Sequence, residues 1–350
     1  MNKKRRDIPA RMSDIARLAG VSASTVSRAL AGSPLVAAAK REEIRRLARE
    51  RGYVINSTAR NLRLQRTQAI SVAIPLRHET SQPLSDPFFT QMLGHVADCI
   101  TQRGYGMFLQ KIVPPMDDWL LRLIASHKSD GIIVIGQSTE HAALEEAAAS
   151  YKPLVVWGGH LPRQAYCTVG TDNVAGARAA VEHLIGLGRR RIIFLGDPAV
   201  PEIGLRYEGY RLAHERADRM GLHPHIVPAH LTAEAAYEAM RAFIGPASSF
   251  DAVFGATDVI AMSAVRAITA AGMAVPHDVA VVGYDDIALA AHGNPPLTTV
   301  RQDVQRGAQM LVELLFRRMA GEDTPSATMP AELIVRESTG RAASSLSGPT

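Results

Sequence analysis

Arg206 and Asp285 are the residues whose chemistry stands out, each placed beyond a strand-like run. A guanidinium facing a carboxylate holds two vicinal hydroxyls by charge-assisted hydrogen bonds, so the pair reads as a grip for a sugar. Thr257 and Asp258 follow the apolar run 251–255, which turns their polar groups toward the same place, and Gln302 opens the last crossover. Phe88 and Phe89, after Asp86-Pro87, and Trp157, at the end of the run 154–157, offer faces for a sugar ring. Each has a bland alternative: an ion pair between lobes for Arg206, core packing for Phe89 and Trp157. Catalytic patterns are missing. No GxGxxG follows the first strand, no phosphate-binding Walker loop occurs, and no serine sits in a nucleophile elbow. His223, His225 and His230 fit no zinc spacing, His214-Glu215 lacks a second histidine at the right offset, and His183 reads as a packing residue within a helix. The expectation is a binding protein, not an enzyme, with no cofactor and no metal.

A second group of residues lies near the N-terminus. Ser13 to Ala19 reads as a short helix stopped at Gly20, which can take the left-handed conformation. Ser22 then caps a second helix over residues 23–30. Ile15, Leu18, Val21, Val26 and Leu30 supply apolar faces, and the small Ala16 and Ala19 let the two helices cross closely. This is the build of a helix-turn-helix. The second helix exposes Ala23, Ser24, Ser27 and Arg28, with Thr25 beside them. Short side chains bring its backbone near base edges, and an arginine can grip a guanine with two hydrogen bonds.

Charge points the same way. Residues 1–66 hold 16 Lys and Arg against 5 Asp and Glu, whereas the rest of the chain holds 23 against 29. A basic head on a mildly acidic body is the footprint of a polyanion binder; a solubilising tail is the alternative. No apolar run approaches the ~18 residues of a membrane span. The basic start has no apolar stretch of the kind a secretory signal carries, so a cytoplasmic protein is expected. Cys99 and Cys167 read as buried small hydrophobes in a reducing compartment.

These residues need a scaffold. Among 350 residues, 47% are hydrophobic, enough for a small head and a body of two subdomains. Strand-like runs occur at 69–74, 107–109, 131–135, 154–157, 191–195, 251–255 and 279–282. Helical patterns lie between them at 89–103, 117–127, 174–187, 205–220, 233–244, 258–271 and 304–320. Such alternation predicts α/β architecture: parallel sheets with helices on both faces. The length calls for two sheets.

The string SDIARLAGVSASTVSRAL, from Ser13 to Leu30, resembles the DNA-binding head of the LacI/GalR family of transcription regulators. A third helix over 38–51, ending in Gly52-Tyr53, fits too. Ala37 stands where the family usually has a serine cap, and Ile55 where it commonly has proline. Residues 56–63, NSTARNLR, resemble the family's hinge helix, which implies DNA contacts from Asn56, Ala59, Arg60, Leu62 and Arg63. A helix this short is marginal alone and is expected to order only when paired with its twin on DNA. Leu62 is then the apolar wedge that kinks the duplex from the minor groove, with an ordinary linker as the alternative. The resemblance runs to about residue 341 through 130–134, 172–176, 181–184, 206–210, 282–286 and 296–302. It implies a core like a periplasmic sugar-binding protein, two lobes around a cleft, with Arg206 and Asp285 at effector positions. Some members carry Asp just after the strand matching 154–157. Here Gly158-Gly159-His160 stands there, and two glycines are expected to open the pocket or leave the role to His160.

The resulting organisation is a helix-turn-helix domain at 1–56, a hinge at 57–67, a core at 68–341 and a disordered tail at 342–350. One core subdomain takes about 68–170 and 304–331, the other about 171–300 and 332–341. The resemblance implies a repressor that reads a pseudo-palindromic operator in double-stranded DNA as a homodimer, since the tail carries no heptad for a larger assembly. A sugar inducer is expected, with no membrane partner. A cytoplasmic sugar-binding protein, and a corepressor-dependent regulator sensing a nucleobase or other metabolite, remain open alternatives.

Overall fold

The computed structural model describes residues 11–53, 66–76, 80–113, 117–217, 223–246 and 248–340. The hinge positions Asn56, Ala59, Arg60, Leu62 and Arg63, and the tail, lie outside the described residues. The chain divides into two compact units, Met1–Thr67 and Gln68–Thr350.

The first unit has three helices: α1 (Met12–Ala19), α2 (Ala23–Leu30) and α3 (Ala38–Glu50). Asp14 accepts a hydrogen bond from the Arg11 amide at 2.9 Å and fastens the start of α1. Gly20 ends it at a φ of 64°, and its N–H reaches back to the carbonyls of Ala16 and Arg17. The Ser22 hydroxyl accepts from the Thr25 amide at 3.2 Å and caps α2, as its sequence predicts. Ala37 gives α3 no side-chain cap. The core is Ile15, Ala16, Ala19, Val26, Ala29, Val36 and Ile44. Leu18 departs from expectation: it is 42% exposed. Ile15, Ala16 and Ala19 centre the buried face of α1, and a turn of ~100° per residue puts Leu18 on its flank.

The second unit contains two six-stranded sheets. The first has the order β11-β5-β4-β3-β1-β2, formed by Ala69–Pro75 (β1), Gly106–Ile112 (β2), Gly131–Ile135 (β3), Leu154–Trp157 (β4), Cys167–Thr171 (β5) and Ala327–Met329 (β11). The second has the order β12-β10-β9-β8-β6-β7, formed by Ile192–Leu195 (β6), His225–Val227 (β7), Ala252–Gly255 (β8), Ala280–Asp285 (β9), Thr298–Arg301 (β10) and Glu332–Ile334 (β12). Every pairing is parallel except β10 with β12, an antiparallel edge that the strand–helix alternation does not announce. Strands covered on both faces need unbroken apolar runs, and β1, β3, β4, β6 and β8 are buried throughout.

The helices between strands are α4 (Pro87–Gln102), α5 (Trp119–Ala125), α6 (His141–Ser150), α7 (Asn173–Gly186), α8 (Pro201–Arg216), α9 (Ala233–Phe243), α10 (Asp258–Ala270) and α11 (Val304–Met319). The chain leaves the first sheet after β5, returns after β10 through α11, which packs on α4 and on β3–β5, and crosses again between β11 and β12. Cys167 is buried in β5, but Cys99 is only half-buried near the end of α4, where it flanks the helix's apolar face.

Candidate functional site

Carboxyl ends of strands from both sheets meet at one cleft, the usual ligand position in open α/β folds. Its space, open mouth included, is about 760 Å³. Gly136 beyond β3, Trp157 ending β4, Thr171 ending β5, Thr257 beyond β8, Asp285 ending β9 and Gln302 beyond β10 all line it.

Arg206 and Asp285 meet there. Arg206 lies in the second turn of α8, further from a strand end than its sequence position suggests. Its guanidinium stands 3.3 Å from an Asp285 oxygen, and both side chains are more than nine-tenths buried. Arg206 also donates Nε to Asn173 Oδ1 at 2.9 Å and Nη1 to the Ala256 carbonyl at 2.7 Å. It rests over the Tyr284 ring, 3.8 Å from its centre. Gln302 Nε2 donates to the same Asp285 oxygen at 2.7 Å. Burial pushes the Asp285 carboxyl above the ordinary carboxylate range, against the pull of Arg206 and the Gln302 hydrogen bond.

The backbone at this point is strained: Asp285 and Asp286 have successive φ values of 124° and 55°, unusual for residues other than glycine. Asp286 secures the bend. Its carboxylate accepts from Arg301 Nε at 2.7 Å and Arg336 Nη2 at 2.6 Å. Nothing in the composition of VGYDD signals this clamp, since both arginines come from distant strands' ends.

Phe88, Phe89 and Trp157 come together on one wall of the cleft. Phe88 and Trp157 lie 6.3 Å apart, tilted by 43°, and Phe89 meets Phe88 edge-on at 5.8 Å. Phe89 and Trp157 are buried core residues that also line the cleft.

Two expectations are corrected. Asp258 does not face the cleft: it is fully buried, and its carboxylate accepts from the Ile287 amide and the Thr299 hydroxyl. As the first residue of α10 it turns toward β9 and β10, and only Thr257, the α10 cap, reaches the cleft. Gly158 and Gly159 do not open the pocket either. A Cβ on Gly158 would come within 2.7 Å of the Gln137 side chain, and one on Gly159 would strike Leu205, so the spared volume is already filled. His160 is exposed and is absent from the cleft's lining.

Residues that sequence reasoning did not select also line the cleft. Gln82, Asp86, Gln137's neighbour Gly136, and Glu202 belong to loops and helix starts whose convergence only the fold reveals. Glu202, from α8, accepts a 2.8 Å hydrogen bond from the Gln137 amide beyond β3 and so joins the two lobes. Asp86 caps α4 through the Phe88 amide at 2.9 Å, and burial raises its pKa.

In the first unit, Ser13, Ser22, Ala23, Ser24 and Arg28 are exposed, and Thr25 and Ser27 are half-buried. The outer face of α2 thus presents short side chains and one arginine.

Comparison with known proteins places these features. The description "Bacterial regulatory proteins, lacI family" matches residues 11–56, and "Periplasmic binding protein-like domain" matches residues 181–339. The chain is 33% identical to the HTH-type transcriptional regulator CelR of Thermobifida fusca, over 93% of this chain and 96% of the relative. It is 30% identical to the HTH-type transcriptional repressor CytR of Escherichia coli K12, over 97% of this chain and 99% of the relative. A solved transcriptional regulator CelR–cellobiose complex superposes with a TM-score of 0.68 at 31% identity, covering 94% of this chain and 99% of that one.

Proposed function

The chain belongs to the lacI family of bacterial regulatory proteins, and from that membership we propose how its parts work. It is a sequence-specific DNA-binding transcription regulator, not an enzyme, and a small molecule controls it. Helix α2 enters the major groove, with Ala23, Ser24, Ser27 and Arg28 toward base edges and Ser13, Ser22 and Thr25 toward the backbone. Asn56, Ala59, Arg60, Leu62 and Arg63 contact the adjacent minor groove. Two copies read a pseudo-palindromic operator. The cleft binds a sugar, whose vicinal hydroxyls engage Arg206 and Asp285 and whose ring lies on Phe88 and Trp157. The sugar acts as inducer and releases the repressor.

One observation carries the effector reading: a buried guanidinium–carboxylate pair on a cleft wall, beside an aromatic surface. Similarity to CelR, solved with cellobiose, supports it. A truncation tests the division of labour. Removing residues 1–66, with 16 of the basic side chains, is expected to abolish DNA binding and leave the sugar-induced rise in melting temperature intact. DNA binding by the truncated chain would refute the assignment of the head. In the full chain, operator affinity is expected to fall steeply with salt, as phosphate contacts release counterions.

A further inference from the structure

We infer that the cleft selects an uncharged saccharide and rejects its phosphorylated or carboxylated counterparts. The inference rests on the sugar reading above and narrows it. Its basis is the balance of charge on the walls: Asp86, Glu202 and Asp285 line the cleft against Arg206, the one lining cation among the described residues.

That cation is already partly committed. Three of its five N–H donors go to Asp285, Asn173 and the Ala256 carbonyl, and its face covers Tyr284. The two that remain can take a neutral hydroxyl, whereas a phosphate reaching them would lie beside a carboxylate that repels it.

Other habitual anion sites in such a fold are helix N-termini, and at two of them the chain's own oxygens stand in. Asp86 caps α4 and Thr257 caps α10, while α8 has no side-chain cap but carries the negative Glu202 in its first turn. Meanwhile Gln82 Oε1 and Thr171 Oγ1 are buried on the cleft wall with no hydrogen-bond partner among the described residues. Both are neutral groups suited to sugar hydroxyls, the Gln82 oxygen as acceptor and the Thr171 hydroxyl as acceptor or donor. The walls therefore suit sugar hydroxyls and an apolar ring face, and among the described residues Arg206 is the one positive charge on them.

The size of the preference follows from Coulomb's law. One carboxylate about 6 Å from a ligand anion, at an effective dielectric of about 20, weakens binding roughly 100-fold.

The test is calorimetry and thermal shift on the full chain with common hexoses, pentoses and disaccharides, each paired with its sugar phosphate or sugar acid. The expected result is that the saccharides that bind are neutral, and that each binds roughly 100-fold more tightly than its anionic counterpart. Asp86→Asn should narrow that gap. A phosphorylated or carboxylated sugar that binds as tightly as its neutral partner would overturn the inference and leave the sugar reading standing. A panel with no binder of either kind would remove both.

Discussion

Asp285 and Arg206 bring a charged pair into a place where water is scarce, and their behaviour follows from that. Burial holds the Asp285 carboxyl at a raised pKa, about 7, while Arg206 and Gln302 pull it back. The ionised form is the better acceptor for sugar hydroxyls. Affinity is therefore expected to be flat above the raised pKa and to fall as pH drops through it, by up to tenfold per unit. Asp285→Asn should bind weakly and lose that pH dependence, as titration calorimetry from pH 5 to 9 can establish. A wild-type affinity constant over that range would contradict this role. The pair was legible as opposite charges at positions that match effector positions of the LacI/GalR family. The sequence did not disclose the fate of Asp258, one residue after Thr257, because which way a helix-start side chain turns depends on β9 and β10, far away in the chain. The Gly158-Gly159 pair misled for a related reason: Gln137 and Leu205 fill the space that two missing side chains vacate.

Elements were legible where their pattern was long and one-sided. Helices α2, α4 and α9–α11 and the apolar strands β1, β3, β4, β6 and β8 follow from periodicity, whereas α8 has no apolar stripe and begins at Pro201, ahead of the expected start at 205. The strands β5 and β10 were not marked because CTVGT and TTVR read as polar, although threonine suits a buried strand whose hydroxyls find partners. Strands β7, β11 and β12, three residues each, are too short to carry a period. Helix α6, HAALEEAAAS, buries only Leu144 and Ala147 and so shows a faint apolar face. Close packing of elements yields a sharper prediction. Gly209 of α8 sits against α7, where a Cβ would strike the Val174 carbonyl and lie 2.8 Å from the Ala177 Cβ. Alanine gains about 1 kcal/mol over glycine in helix propensity. Forcing two helix backbones apart costs about 1–3 kcal/mol. Gly209→Ala is therefore expected to be net destabilising in urea denaturation; a stabilised variant would show that the two helices part freely.

The whole molecule joins a helix-turn-helix unit to a two-lobed receptor, and the basic-to-acidic asymmetry along the chain made that division visible early. The lobes share a cleft, and the chain crosses between the two sheets three times. Asp286 belongs to this machinery: it ties the bend carrying Asp285 to Arg301, just before the crossing into α11, and to Arg336, just after β12. For the inducer proposed above, binding and regulation are one equilibrium, and linkage requires it and the operator to weaken each other by a common factor. The decisive measurement is reciprocal titration of the full chain with an operator duplex and a saccharide that raises its melting temperature. The account predicts that saturating saccharide raises the operator Kd, and that saturating operator raises the saccharide Kd by the same ratio. An operator affinity indifferent to a saccharide bound in the cleft would contradict it.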